Sequence, residues 1–390
     1  MTESPDSSPH ELIQAIDDKI SAVRTQSLDF SFNELADMHD AEELIINPEF
    51  QRMFRWSEGS QARFIESLLL ELPVPPIFLI EREDRVYELI DGLQRISSYL
   101  HFRGSLEIDG QRLEPLRLSE CDIVPELNGK IYSELPRSLE IKLKRSYIRA
   151  EILRKESDAR LRYYMFKRLN TGGEILSRQE VRNATVRLLS DKFNNFIGEL
   201  SGGGDYKYCI ATISDGARNR RFDQELVLRF FAFKNNIAAY SHDVADFLTE
   251  YMESVSDPVT PAPFEYEVEA AEFRKTFRLL RLISDRLNMQ LVTDGAVIGS
   301  RIFGTMSARS SEPRGQFSVY HYEGLTLGLQ RVLDQIDESN EAQLVSLAEV
   351  VKFGKGDQDF LKHTGAGKNQ RNALAERVNY FANYFAEALA

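Results

Sequence analysis

Cysteine is scarce in this chain of 390 residues: only Cys121 and Cys209 occur, far apart and without CxxC or Cys/His spacing. That excludes a disulfide framework and gives no zinc signature, so both thiols are expected as buried small hydrophobes. Long apolar runs are missing as well. None approaches the ~18 residues of a membrane span, and MTESPDSSPH lacks the basic and apolar regions of a secretory signal, so the expected compartment is the cytoplasm. The six histidines show no metal-ligand spacing, and His39 and His101 read as structural. A surplus of positive charge is lacking too, and a net charge of −13 argues against indiscriminate coating of nucleic acid.

What is present begins with enough apolar residues, 42%, for real cores in two or three domains. One basic stretch stands out against the acidic whole: residues 137–187 hold 14 Lys/Arg against 6 Asp/Glu. It reads either as solvated helix faces or as a phosphate-facing surface.

Along the chain, a disordered start precedes a polar helix over 11–26. SLDFSFNELADMHDAEELIINPEF reads as strand, helix from about Ser31–Asn33, then strand to Pro48. Ser57 is placed to cap a helix over 58–71, which Pro73, Pro75 and Pro76 end. Residues 77–80 and 86–90 read as two strands joined by a tight turn. After an irregular region to Pro136 the pattern turns helical: a helix over 158–170, the loop TGGEIL, and a capping box of Ser177 and Glu180. SGGGDYKYCIATISDGARNRR reads as a loop-rich insertion, VSDPVTPAP as a linker, and residues 309–316 as a polar break. Helices are expected over 222–233 and 264–287, and a last one carries Ala373, Val378, Phe381 and Phe385. GAGKNQR resembles a P-loop only superficially, because Lys362 holds the position of its first glycine and no Ser/Thr follows Lys368.

The most informative stretch is YELIDGLQRISSYL, residues 87–100. Asp-Gly suggests a hairpin, but Leu93, Ile96 and Leu100 recur at helical spacing and Gly104 is placed to stop a helix. The reading is therefore strand, tight turn, helix. The first N–H groups of a helix lack internal partners and sit at the positive end of its dipole, so such a corner can receive an anion. Arg95 would add a charged fork, and Gln94 a donor and acceptor. The competing reading is a solvated turn in which Arg95 pairs with Asp91 or a neighbouring carboxylate. Gln51-Arg52 and Arg168-Leu169-Asn170 likewise place Arg beside an amide at the edge of an expected element. A triphosphate needs donors converging from several segments, and these three corners could supply them. Trp56 would stack on a base or sugar, or else cap the core.

The ordered set NPEFQRMFRW, LLLELPVPPIFL, YELIDGLQR and FKRLNTGGEILSRQEVRNA resembles the N-terminal domain of GmrSD-type modification-dependent restriction endonucleases, a ParB/sulfiredoxin-like fold. RNRRFDQELVLRFFAF and FLKHTGAGKNQRNALAERVNYF resemble the helical continuation in that family. The resemblance implies an α+β architecture: a tail and helix over 1–27, a small mixed sheet with helices over 28–187, and a mainly α-helical region over 188–390. It implies a nucleoside triphosphate as cofactor (ATP, GTP or CTP) with Mg²⁺ as candidate companion ion, and no metal-ligating residues are assigned. The family's DGQQR-like signature stands here as Asp91, Gly92, Leu93, Gln94, Arg95, with Leu93 in place of the usual first Gln. By the same resemblance Gln51, Arg52, Trp56, Arg168 and Asn170 complete the nucleotide site, and Asp91 and Gln94 are the catalytic candidates. Leu169 stands where the ParB segment has an acidic residue.

The implied activity is NTP hydrolysis in a restriction system defending against foreign DNA, with DNA as partner. His321 and His363 are isolated, without the paired histidines of an HNH nuclease, so any cutting is expected from a partner polypeptide. The alternative is a recognition module that reads modified DNA without turnover. A sulfiredoxin-type reductase would need a cysteine in the turn, and none is there.

Overall fold

The structure, a computed structural model, describes residues 9–21, 24–46, 54, 56–108, 110–157, 165, 178–187, 189–241, 243–293, 295–307, 310–365 and 367–390. The chain divides into two compact units, Met1–Glu174 and Ile175–Ala390. The expected helix over 158–170, TGGEIL and Ser177 fall on residues outside those described, apart from Met165.

The first unit is built on a five-stranded mixed sheet. Its strands are β1 (Thr25–Ser31), β2 (Leu44–Ile45), β3 (Ile77–Glu81), β4 (Tyr87–Asp91) and β7 (Tyr147–Leu153), in the order β1-β7-β3-β4-β2. β7 runs antiparallel to β1 and parallel to β3, and β4 runs antiparallel to β3 and parallel to β2. A short hairpin, β5 (Glu107–Ile108) with β6 (Gln111–Arg112), stands apart. The helices are α1 (Pro9–Ser21), α2 (Phe32–Asp40), α3 (Glu58–Leu69), α4 (Leu93–Arg103) and α5 (Arg137–Arg145). Ser31 and Ser57 cap α2 and α3, each accepting a backbone N–H three residues on, as the sequence predicts. α1 is shorter than expected, because the chain from Thr25 is drawn into β1 by a seven-residue ladder with β7. Core residues Phe32, Ile65, Leu68, Ile77, Leu79, Leu100 and Phe102 are almost completely buried, and the Phe32 ring packs on those of Phe64 and Tyr99.

One irregularity bears on function. Phe78 pairs with Asp91 but Leu79 pairs with Leu89, so Ile90 is an extra residue and β4 ends in a bulge. A bulge re-aims the side chains beside it. Here it sits next to Asp91, the first residue of DGLQR.

The second unit is mainly helical, with α6 (Arg178–Val186), α7 (Asp191–Ser201), α8 (Phe222–Asn236), α9 (Val244–Ser256), α10 (Tyr266–Arg286), α11 (Val319–Leu329), α12 (Glu341–Gly354) and α13 (Arg371–Leu389). Its core is strongly aromatic: Phe230, Phe231, Phe273 and Phe277 meet at ring distances of 4.5–6.5 Å. Gly328 allows close approach to α13, since a Cβ there would lie 2.8 Å from that of Phe381. Three readings change here. SGGGDYKYCIATISDGARNRR contains short helices, Gly204–Cys209 and Asp215–Asn219, because Tyr206, Cys209, Ile210 and Ile213 are buried and hold the chain in place. VSDPVTPAP joins two helices of one unit, pinned by Asp257 accepting from Val259 and Thr260 and by the Phe264 ring against Phe193 and Phe231. The polar break at 309–316 lies mostly in a strand, β11 (Ser310–Phe317), paired with β10 (Gly304–Ser307); β8 (Gln290–Thr293) and β9 (Ala296–Ser300) form a further hairpin.

Both cysteines are free and buried, as composition suggests. No described helix is long and apolar enough to cross a membrane. The basic stretch 137–187 is shared between the two units, and its Arg182 is buried.

Candidate nucleotide site

The corner between β4 and α4 is made by Gly92, whose φ of +106° lies in the left-handed region that favours glycine. Space imposes the same choice: a Cβ at Gly92 would lie 2.3 Å from Ile77 Cγ2. Gly92 is also the N-cap of α4, and no side chain caps that end. Gly92 thus offers no side-chain acceptor to the first turn of this 11-residue helix, whose N–H groups lie at the positive end of the helix dipole.

Arg95 is the third residue of α4, within its first turn. Its Nη2 donates to Asp91 Oδ2 at 2.9 Å and to the Pro76 carbonyl at 3.1 Å, while its Nε is buried without a hydrogen-bond partner. The Arg95–Asp91 pairing offered by the competing reading is therefore present. The Arg95 side chain is 16% exposed and that of Asp91 42%, so the pair is open to solvent on the acid's side. Such half-exposed pairs are worth roughly 0–1 kcal/mol, which leaves the guanidinium easy to divert to a stronger anion.

Gln94 has a structural task. Its Oε1 accepts the Trp56 backbone N–H at 3.0 Å, and Gln61 Nε2 donates to the Trp56 carbonyl at 2.8 Å. Gln61 Oε1 lies 2.8 Å from His101 Nδ1, and His101 Nε2 lies 2.9 Å from the Glu114 carbonyl. Two amides thus clamp the backbone of one residue, Trp56, onto α3 and α4, with a buried histidine behind them. Burial holds the His101 pKa below its ordinary value. The sequence places His101 correctly as structural, but nothing in its spacing marks the partnership with Gln61.

The Trp56 ring meets Phe64 edge-on at 5.8 Å and is half-buried, so it caps the core in this state. Leu93 is only 8% exposed. That position is turned into the core, where an apolar side chain needs no hydrogen-bond partner. Trp56, Asp91, Gly92, Leu93, Gln94 and Arg95 are therefore brought together around one corner. Gln51, Arg52, Arg168 and Asn170 lie outside the described residues. Glu180, from the motif after Asn170, is buried in α6 of the second unit. Its neighbours there form a polar core: Gln179 Nε2 donates to Asn183 Oδ1 at 2.8 Å, and Arg182 Nη1 to Gln179 Oε1 at 2.7 Å.

Beside the corner a cleft of about 920 Å³ opens, to which Pro76 contributes along with Lys142, Arg145, Tyr147 and Arg149. Lys142 and Arg149 are paired with Glu71 and Asp29. Among the described residues no group of three or more His, Cys, Asp or Glu could hold a metal ion.

The fold and the corner define an α+β domain with a mixed sheet and a glycine-bridged strand-to-helix turn. Residues 32–187 match the family model of the GmrSD restriction endonuclease, N-terminal domain, and this stretch of the chain is such a domain. Comparison with curated proteins and with solved structures gives no match. The domain places the chain in the context of a restriction system.

Proposed function

We propose that the first unit binds a nucleoside triphosphate and hydrolyses it, as the nucleotide-dependent component of a DNA restriction and defence system whose cutting activity resides on a partner. The observation that carries the reading is the α4 corner: an N-terminus without a side-chain cap, a glycine whose Cβ would not fit, and a guanidinium with one orphaned buried nitrogen. These fit a phosphate group. The α4 N–H groups and Arg95 would hold it, and Asp91, released from Arg95, would serve the companion Mg²⁺ or an attacking water. The bound ion supplies charge neutralisation at the phosphates. Gln94 holds the backbone of Trp56, the last residue of the QRMFRW motif.

Titration calorimetry with ATP, GTP and CTP tests the reading. A hydrogen bond from a charged group is worth roughly 1.5–3 kcal/mol, so Arg95→Ala should weaken nucleotide binding about 10- to 150-fold. Equal affinity in the two proteins would remove Arg95 from the site. A second reading, recognition of modified DNA without turnover, draws support from Gln94, whose carbonyl oxygen is engaged by Trp56, and from the buried Leu93. Phosphate release measured with and without DNA separates the two, and zero release under both conditions favours recognition.

A further inference from the structure

The second unit contains a continuous buried ion network outside the α4 corner. Arg182 pairs with Glu225 (3.2 Å), Arg229 with Glu225 (3.5 Å) and Glu323 (2.7 Å), and Arg377 with Glu323 (2.6 Å). Among the described ion pairs of this network, three guanidiniums thus face two carboxylates. Lys355 is fully buried with its Nζ on the carbonyls of Arg301 and Ile302, and burial lowers its pKa to about 7, so near neutral pH it adds only part of a positive charge. Buried cations in excess are costly unless an anion is supplied.

A cavity of about 560 Å³ opens onto this network, within the size range of small-molecule sites. Arg229 lines it, is 8% exposed, and has an Nε without a hydrogen-bond partner. The other ionisable groups among the described lining residues are His321 and the Tyr320 phenol, and no carboxylate is among those described residues. Burial, and to a lesser degree the neighbouring Lys355, hold His321 neutral, with its pKa lowered to about 3. The N-terminus of α11 also reaches the cavity, through Tyr320 and through Ser318, whose Oγ accepts the His321 N–H and leaves the other first-turn N–H groups without a side-chain cap from it. The opposite rim is the loop after His363, where Gly365 takes φ of +100°. Its carbonyls are turned to donors: those of His363 and Lys368 to Arg377, that of Gly365 to the Tyr320 hydroxyl, and that of Asn369 to the Tyr240 hydroxyl. The negative ends of these peptide dipoles are thereby occupied, while Phe317 and Leu361 give the cavity an apolar side.

We propose that this cavity is a second ligand site, taking a phosphorylated small molecule of about mononucleotide size, its phosphate on Arg229 and the α11 N-terminus and its body against Phe317 and Tyr320. The site is independent of the α4 corner, so it is tested in the full chain carrying Arg95→Ala. Calorimetry with inorganic phosphate, AMP and adenosine is the measurement. Phosphate and AMP should bind, and adenosine at least about tenfold more weakly than AMP, as expected for a charge-assisted contact. Asn369→Asp places a carboxylate at the exposed rim without touching the buried network, and should weaken AMP about tenfold by repulsion. Arg229→Gln, with folding verified by circular dichroism, should abolish the preference for AMP over adenosine. Equal binding of AMP and adenosine, or unchanged AMP affinity in Asn369→Asp, would overturn the site. AMP binding that is present with Arg95 and lost in Arg95→Ala would overturn it as well and credit the α4 corner instead.

Discussion

Arg95 in the first unit and Arg377 in the second are both arginines in ion pairs, and they differ in what surrounds them. The Arg95 pair involves an acid 42% exposed, and one of its other acceptors is a single carbonyl. Arg377 is 1% exposed, and its guanidinium is held by Glu323 together with the His363 and Lys368 carbonyls. Water can replace the partner of the first but not of the second. The comparison teaches that an arginine available for a ligand is recognised less by its pairing than by how cheaply the pairing can be exchanged.

The sharpest way to break that comparison is Glu323→Ala. It takes a carboxylate from two buried guanidiniums, leaving Arg229 with Glu225 and Arg377 with carbonyls alone, and should cost about 3–5 kcal/mol of stability in denaturant titration; a loss below about 1 kcal/mol would show that the network is hydrated. Acid should act next. His321 is held neutral by burial, with its folded pKa near about 3 against about 6.5 unfolded, so the unfolded state binds the extra proton. Its contribution is fully present above about pH 6.5 and is lost as pH falls from there toward 3, with a slope approaching 1.4 kcal/mol per pH unit. His321→Gln should flatten that slope in pH-dependent thermal melts. Gly92→Ala combines a left-handed φ with a clash on Ile77 and is expected to cost about 1–3 kcal/mol. Gln94→Ala removes the acceptor for Trp56 N–H, and about 1–2 kcal/mol is expected, with a change in Trp56 fluorescence because this is the chain's only tryptophan. Arg95→Ala should be nearly silent in stability, below about 1 kcal/mol, while its effect on nucleotide affinity is large; a large stability loss would place Arg95 with Arg377.

Local signals served well wherever a few neighbouring residues decide the outcome. Ser31 and Ser57 cap because their oxygens reach the next turn, and Gly92 and Gly104 bracket α4 because both take left-handed φ. SGGGDYKYCIATISDGARNRR misled because its glycines speak of local freedom, whereas burial of Tyr206 and Cys209 comes from partners far along the chain, such as Phe277. The strand at 310–317 was hidden for a similar reason, since a polar sequence carrying Pro313 pairs only because β10 is presented to it. The Gln94–Trp56–Gln61–His101 chain spans residues 56 to 101 and has no spacing by which it could be read.

By itself the sequence determined the strand, turn and helix of DGLQR, the order of motifs that marks the domain, and the α+β then helical plan. The strand, turn and helix rest on short-range rules of backbone conformation and periodicity, which each segment carries with it, and the domain plan rests on the family resemblance of the ordered motifs. Only the tertiary structure decided that Arg95 is exchangeable, that Gln94 is a strap, and that three arginines share two glutamates beneath a cavity. Those properties depend on burial and on which distant groups face one another, and the free energy of a charge is set by its surroundings.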